Sequence, residues 1–434
     1  MDQTTPTVHA AASNALGWQP QRAPGMPPLV EQLVQHCLQL LAGHSLRAGT
    51  RLPSVRQLAD SAGVSRDTVV QAYDRLVAQG VARIPEDRHG TGVVGDLPVW
   101  ENAVSERLHT RWFSRLGWVR RKAAQGVDVR LIYDDFGSLL GLPTDFVVRM
   151  ERAHIRCIPF NPVVPLVSLV MNHRDHRKIV VVDGNVAYTG GVNLADEYIN
   201  AEQRFGYWKD AAIRLEGAAV WNFTVMFLNV WNAFRPQETD YTAFAPTRLP
   251  AVQDGVVQPY ADSPLDEEPM AETVYLNILA QAQRYVYIYT PYLAVGEEML
   301  DALKNAAKRG VDIRLVLPGI PDKKLVFRLS RSYYLPLVRA GVRIYEYTPG
   351  FLHAKCWVSD DVTAVVGSIN MDYRSLFLHF ECGVLLQKNS QVAVLRDDVR
   401  ATLPQCREIQ VTECRTSLPG TVLDSVLRLL SPLM

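Results

Sequence analysis

The chain contains the same pattern twice, and this constrains its fold more than any other feature. His176-Arg177-Lys178 with Asp183 beyond and His353-Ala354-Lys355 with Asp360 beyond both fit the spacing HxKxxxxD. Each copy is followed by an apolar run and then by a glycine-led tetrad, Gly190-Gly191-Val192-Asn193 and Gly367-Ser368-Ile369-Asn370. Each is preceded by a matching stretch, Gly126-Val-Asp-Val-Arg-Leu-Ile and Gly310-Val-Asp-Ile-Arg-Leu-Val. The offset between partners stays at about 180 residues over all three segments, the signature of an internal duplication. Two related halves are therefore expected, each alternating helix and strand patterns, which argues an α/β sheet with helical cover.

The residues of the repeat share one chemistry. In extended backbone successive side chains alternate faces, so His and Lys two positions apart emerge together and converge on one small anion. Phosphodiester exchange needs a nucleophile, an acid for the leaving oxygen and positive charge around the phosphoryl oxygens. His176 and His353 supply the first two, because imidazole titrates near neutral pH. Lys178, Lys355, Asn193 and Asn370 supply donors, so that no metal or other cofactor is required. Each histidine also needs a carboxylate to fix its tautomer, and the candidates in matching downstream strands are Asp210 and Glu381. Asp183 and Asp360 complete the pattern, but they stand past the apolar strand residues, beside Gly184 and Asp361, where shaping a turn is expected.

A separate unit precedes the repeats. Leu29, Leu33, Cys37, Leu40 and Leu41 are spaced for one helical face, Ser54 and Gln57 form a capping-box pair opening a second helix, Gly63 ends it, and Ser65 caps a third that stops at Gly80. Helix, glycine turn and capped helix make a helix-turn-helix. The division expected is a disordered tail over 1–26, a helical domain over 27–95, a first repeat over 96–240, a linker over 241–270 and a second repeat over 271–434. The second repeat opens with a full strand, Arg284 to Tyr292, whereas the first has a helix-like, Trp- and Arg-rich stretch, Trp100 to Ala124, in that place. The first sheet is thus expected to lack a strand.

Composition adds limits. The 45 Lys+Arg balance 45 Asp+Glu, so bulk charge selects no partner and only local patches bear on one. The six cysteines have no CxxC or zinc-like spacing, which suits reduced thiols in a cytoplasmic compartment. With no leader-like start and no long uninterrupted apolar run, a soluble or membrane-peripheral protein is expected. Two apolar groups stand out: the Pro-interrupted run Phe160 to Met171, just ahead of His176 and a candidate for dipping into an interface, and Trp221, Phe223, Phe227, Trp231 and Phe234, which are expected to pack inward. Arg328, Arg331, Tyr333 and Tyr334 either meet lipid phosphates or cover a helix face.

Two resemblances follow from these residues. Leu46 through Ala59, Gly63 through Tyr73 and the Gly90-Thr91-Gly92 wing resemble the winged-helix domain of GntR-type regulators. That resemblance implies DNA contacts from Arg56, Ser65, Arg66 and Thr68. The stretches Tyr133 to Ser138, Met171 to Lys178, Thr189 to Tyr198, Gly206 to Asp210, Pro318 to Lys324 and Tyr345 to Lys355 resemble the phospholipase D superfamily, and within it bacterial cardiolipin synthases. This implies two phospholipase D-like α/β sandwich halves behind the winged helix, a phosphohistidine on His176, and His353 as acid and base. It further implies joining of two phosphatidylglycerols with release of glycerol. Two other readings stay open: a phosphodiesterase or nuclease of the same superfamily directed to DNA, and a GntR-type regulator whose C-terminal half senses phospholipid without turnover.

Overall fold

A computed structural model describes residues 16, 18–23, 25–42, 52–53, 55–78, 117–138, 141–162, 172–236, 240–248, 254–414 and 417–433. The chain divides into two compact units, Met1–Thr110 and Arg111–Met434.

The first unit is a helical cluster of α1 (Leu29–Ala42), α2 (Val55–Ala62) and α3 (Arg66–Ala78). The expected apolar face forms its core: Leu33 and Cys37 of α1 meet Leu58 of α2 and Val69, Ala72, Tyr73 and Leu76 of α3. Gly63 has φ +63°, a left-handed conformation that costs glycine little, and this ends α2. Ser65 caps α3, its Oγ accepting from the Thr68 amide at 3.1 Å. One expectation is corrected. The segment before α1 is not tail throughout, because Leu16 and Trp18 are buried in this core and His36 Nε2 lies 2.8 Å from Leu16 O. An indole beside an apolar helix face buries more area than the ordering of a few residues offsets. Ser54, Gly80 and the Gly90 wing lie outside the described residues, as does the Arg56 side chain.

In the second unit, the first half holds α4 (Gly117–Ala124), β1 (Val129–Asp134), α5 (Phe146–Arg152), β2 (Ile155–Phe160), β3 (Arg174–Asp175), β4 (Ile179–Val182), β5 (Val186–Gly190), β6 (Tyr207–Lys209), β7 (Ala212–Glu216) and α6 (Val220–Phe234). In α6, Phe223 and Trp231 are buried, as expected, while Phe234 is exposed. The second half begins with β8 (Val256–Asp262), α7 (Met270–Gln281), β9 (Tyr285–Tyr289), β10 (Leu293–Ala294), α8 (Glu297–Lys308), β11 (Asp312–Pro318), α9 (Lys324–Ser332) and α10 (Tyr334–Ala340). It continues through β12 (Arg343–Tyr347), β13 (Gly350–Leu352), β14 (Cys356–Ser359), β15 (Thr363–Gly367), β16 (Met371–Asp372), β17 (His379–Gln387), α11 (Ser390–Thr402), β18 (Cys406–Glu408) and α12 (Leu418–Leu429).

The second sheet runs β18-β12-β11-β9-β14-β15-β17, with β8 paired antiparallel to β17 along seven residues. The expected linker over 241–270 is therefore corrected: its latter part is an edge strand, and Pro259 is tolerated there because an edge leaves one side of the backbone unpaired. In the first half, β1 pairs with β2 in parallel, and β4, β5 and β7 form an antiparallel trio. These correspond to β11-β12 and β14-β15-β17. In the second half β9 joins the two groups, whereas among the described residues no strand joins β1 to β4.

Two apolar layers hold the unit together. One lies between the second sheet and its helices, centred on Trp357 stacked on Tyr275 with centroids 4.3 Å apart. The other mixes residues from both halves, Ala187, Leu215 and Phe223 with Cys356, Val358 and Val384, so the halves share a core. Burying each such Val, Leu or Phe contributes about 1.5–3 kcal/mol.

Each half also lends the other a short strand. β3 pairs with the start of β17, and β13 pairs with β6. These two parallel contacts are what bring the motifs together.

Candidate active site

Strand direction places both His-x-Lys pairs, both asparagines and both paired acids at one end of the second unit. β9, β11 and β15 run toward this end and β14 and β17 start from it. His353 and Lys355 immediately precede β14, Asn370 follows β15, and Glu381 lies near the start of β17. In the first half His176 and Lys178 precede β4, Asn193 follows β5 and Asp210 precedes β7. The two His-x-Lys segments lie just before their strands rather than within them, a small correction to the expected placement.

The borrowed strands set the histidine backbones. The His176 amide donates to Phe380 O at 3.0 Å, and the His353 amide donates to Lys209 O at 2.7 Å. Asp134, at the end of β1, anchors the first of these, its Oδ2 accepting from the Asp175 amide at 3.0 Å. Each histidine then finds its carboxylate in the other half. Nδ1 of His176 donates to Glu381 Oε1 at 2.8 Å, and Nδ1 of His353 donates to Asp210 Oδ2 at 2.7 Å. With the proton on Nδ1, Nε2 of each ring keeps its lone pair for chemistry. The sequence pattern singles out both acids but does not reveal that they cross.

The surroundings of the two pairs differ. Glu381 is fully buried and accepts a second hydrogen bond, from Ser368 Oγ. The matching position, Gly191, has no side chain, and a Cβ there would stand 2.1 Å from Asp210 Oδ1. Beside His176 is the ring of His379, centroids 5.7 Å apart, while beside His353 the matching residue is Trp208, at 5.3 Å. Tyr198 also packs against His353 at 5.1 Å, its ring 4.6 Å from that of Trp208, and accepts from Asn193 Nδ2 at 2.5 Å. Ser368, His379, Trp208 and Tyr198 were not singled out from sequence. The only signal was their place inside or beside the repeated segments.

Charge and burial shape reactivity. The His176 side chain keeps 25% exposure and that of His353 only 7%. Burial pushes the His353 pKa down to about 3, aided by the Lys355 ammonium. Burial likewise lowers that of Lys355 to about 7. His176 and Lys178 are lowered too, burial being the largest cause in each. Burial alone would raise the two acids, but the charge of His176 and its hydrogen bond hold Glu381 well below the carboxylate range, and His353 with Lys355 holds Asp210 low. Lys355 also acts on His176, and Lys178 on His353, so both pairs share one electrostatic site. Lys355 Nζ lies 2.7 Å from Nδ1 and 2.9 Å from Nε2 of His353 and also donates to the His353 carbonyl oxygen.

Asp183 and Asp360 do not join this cluster. Both have positive φ, at 51° and 56°, in turns at the far ends of β4 and β14. Asp360 accepts the amides of Gln283, Arg284 and Tyr285 at 2.7–2.9 Å, a turn anchor rather than a catalytic group. Although they complete the repeated pattern that carries the catalytic candidates, neither belongs with the catalytic groups. The basic-aromatic cluster is likewise structural: Arg328 pairs with Asp424 and Arg331 with Glu346, while Tyr333 and Tyr334 are buried. Most of the Phe160–Met171 run lies outside the described residues. Among those described, His176, His379 and Glu381 are a group able to hold a metal, their ligand atoms within 4.8 Å of one another. Arg374 Nε donates to His379 Nε2 at 3.2 Å, which leaves the His379 proton on Nδ1, the nitrogen nearest Glu381. That Nδ1 stands 3.8 Å from Glu381 Oε1, beyond hydrogen-bond reach, and is a buried nitrogen with no hydrogen-bond partner among the described residues.

Comparison with known proteins agrees with this geometry. Residues 275–402 match the family described as cardiolipin synthase, PLD-like domain, and residues 29–93 match the bacterial regulatory proteins of the gntR family. The chain is 46% identical over 328 residues to an uncharacterized protein of Streptococcus mutans, covering 74% of this chain and 70% of that one. It is 37% identical to a cardiolipin synthase of Halalkalibacterium halodurans and 38% identical to cardiolipin synthase 2 of Bacillus anthracis, each over 72% of this chain. It spans 63% and 62% of the length of these two enzymes. The crystal structure of phosphatidylserine synthase from Haemophilus influenzae Rd KW20 superposes with a TM-score of 0.56 at 14% identity, over 77% of this chain and 87% of that one, which shows a common fold.

Proposed function

Since the chain belongs to the phospholipase D-like family that contains the bacterial cardiolipin synthases, with a GntR-type domain ahead of that region, we propose that it is a phosphatidyltransferase that joins two phosphatidylglycerols. Nε2 of His176 attacks the diester phosphorus. The bond from phosphorus to the departing glycerol oxygen breaks as a phosphorus–nitrogen bond forms, and His353 gives that oxygen its proton. Glycerol leaves. A headgroup hydroxyl of the second phosphatidylglycerol then loses its proton to His353 and attacks phosphorus, which frees His176 and completes cardiolipin. Lys178, Lys355, Asn193 and Asn370 donate to the phosphoryl oxygens, where charge builds in each transition state.

The observation that carries this reading is the crossed pairing of two histidines with two buried carboxylates from opposite halves, each histidine beside a lysine. Burial and, after it, the lysine charges hold both imidazoles in the neutral form; an anionic diester entering between Lys178 and Lys355 offsets those charges and so favours uptake by His353 of the proton it must donate. The greater exposure of His176 suits it to the attack.

The test is full-length protein with headgroup-labelled phosphatidylglycerol in the presence of a chelator. Cardiolipin and free glycerol are expected in equal amounts, with none from His176→Ala. Equal turnover by that variant, or release of phosphatidic acid without cardiolipin, overturns the assignment.

The first unit supports a DNA-binding role in the same chain. Ser65, Arg66 and Thr68 stand at the start of α3 on the solvent side, where a recognition helix presents short polar groups and free amides to the major groove and to phosphate.

A further inference from the structure

One helix of the second half is turned inside out. α12 touches the body largely through polar groups: Arg328 Nε donates to Asp424 Oδ1 at 2.8 Å, Arg328 also reaches Gly420 O at 3.3 Å, and Arg428 Nε donates to Ser332 Oγ at 3.1 Å. Within α12 only Leu427 is buried. The other side carries Leu418, Val422, Val426 and Leu429, all exposed, with Leu418 at 85% and Leu429 at 80%. Their spacing makes a single stripe. A helix lying on a globular body normally turns such a stripe inward, and a contiguous exposed one marks an interaction surface.

The location of the stripe indicates what covers it. Arg328 meets Gly420 and Asp424, and Ser332 meets Arg428, so α12 runs parallel to α9 and their N-termini adjoin. There Lys323, Lys324 and Leu325 are exposed. α9 follows the end of β11 that lies on the catalytic side of the sheet, and its Ser330 Oγ accepts from the Leu293 amide at 3.0 Å, just beyond β9. An apolar stripe and two cations thus border the end of the molecule that holds the histidines.

We propose that α12 is an interfacial helix whose stripe enters the boundary between headgroups and acyl chains of an anionic phospholipid bilayer. Lys323 and Lys324 meet headgroup phosphates, and the catalytic end faces the membrane. The choice of a lipid surface rests on the transferase reading above. It is favoured over a second copy of the chain because an isologous contact would set this patch against itself, lysines facing lysines. Among the described residues no helix is long and apolar enough to cross a membrane, so surface insertion is the attachment these residues offer.

The test is flotation of the full chain with phosphatidylglycerol-containing vesicles and with phosphatidylcholine vesicles, for wild type, Leu418→Gln/Leu429→Gln and Lys323→Glu/Lys324→Glu. Wild type is expected to float with the anionic vesicles. Both double variants should lose at least about tenfold in vesicle affinity at a nearly unchanged melting temperature, since all four side chains are exposed and only Lys323 has a ring contact, with Tyr292. Turnover should fall on vesicles yet persist on short-chain phosphatidylglycerol dispersed as monomers. Flotation of the apolar variant like wild type overturns the proposal, as does a wild type that does not float. A change of oligomeric state in the variant with flotation intact also overturns it, in favour of a second copy. Flotation needs no chemistry, so failure of the transferase reading shows separately, as absent turnover on both substrates.

Discussion

Glu381 accepts the Nδ1 proton of His176 at 2.8 Å although 205 positions separate them. The complementary bond, His353 to Asp210, spans 143 positions in the opposite sense. Neither half holds a complete acid-base pair, so each depends on the other. Glu381→Gln is therefore expected to impair the attacking histidine of the first half, and Asp210→Asn the acid of the second, each lowering turnover by about 10²–10⁴ through loss of the correct tautomer. The two are separable by trapping: Asp210→Asn should still accumulate phosphatidyl-enzyme on a substrate with a good leaving group, and Glu381→Gln should not.

Lys355 sets the alkaline side of the activity profile. Burial lowers its pKa to about 7, so the ammonium is present below that pH and is lost as pH rises through it. kcat/KM, which reports the free enzyme, should fall about tenfold per unit above that point. Lys355→Arg keeps the charge at every accessible pH, and its profile, at whatever height, should lack this limb.

Acid stability follows from the same site. A histidine held at about 3, against about 6.5 in an unfolded chain, is protonated first in the unfolded state. Folding stability then falls as pH drops below about 6.5, by up to ~1.4 kcal/mol per unit. Glu381 and Asp210 are held below their unfolded values, so their contribution is present above about pH 4.5 and is lost as pH falls further. Urea midpoints measured against pH should flatten above pH 4.5 in His353→Gln and only below it in Glu381→Gln.

Gly191 and Ser368 occupy matching positions with opposite demands. Gly191→Ala places a methyl group 2.1 Å from Asp210 Oδ1 and should cost turnover about 100-fold by displacing that carboxylate. Ser368→Ala removes one of two donors to Glu381 and should cost about tenfold or less. Similar losses in both variants would argue against the packing explanation.

For the first unit, Arg66→Ala should weaken a gel-shifted DNA complex by about tenfold and reduce its salt dependence by roughly one unit of slope. An unchanged shift would remove the start of α3 from the interface.

Much of this was legible in the sequence because it is local. The helix-turn-helix follows from Gly63 and Ser65, whose backbone needs and capping chemistry are set within a few residues. β4, β5, β14 and β15 follow from apolar runs bounded by turn residues, and the repeat itself named His176, Lys178, His353, Lys355, Asp210 and Glu381 as one set. The burial of Leu16 and Trp18, the edge strand inside the expected linker and the outward stripe of α12 were not legible. Each depends on which surface a segment meets, and periodicity does not report that. The crossed pairing is the clearest case. Side-chain types and spacing determined that two imidazoles and two carboxylates would act together, but only the exchange of β3 and β13 between the halves decided their partners, because a hydrogen bond depends on positions in space that distant parts of the chain reach only once both sheets have formed.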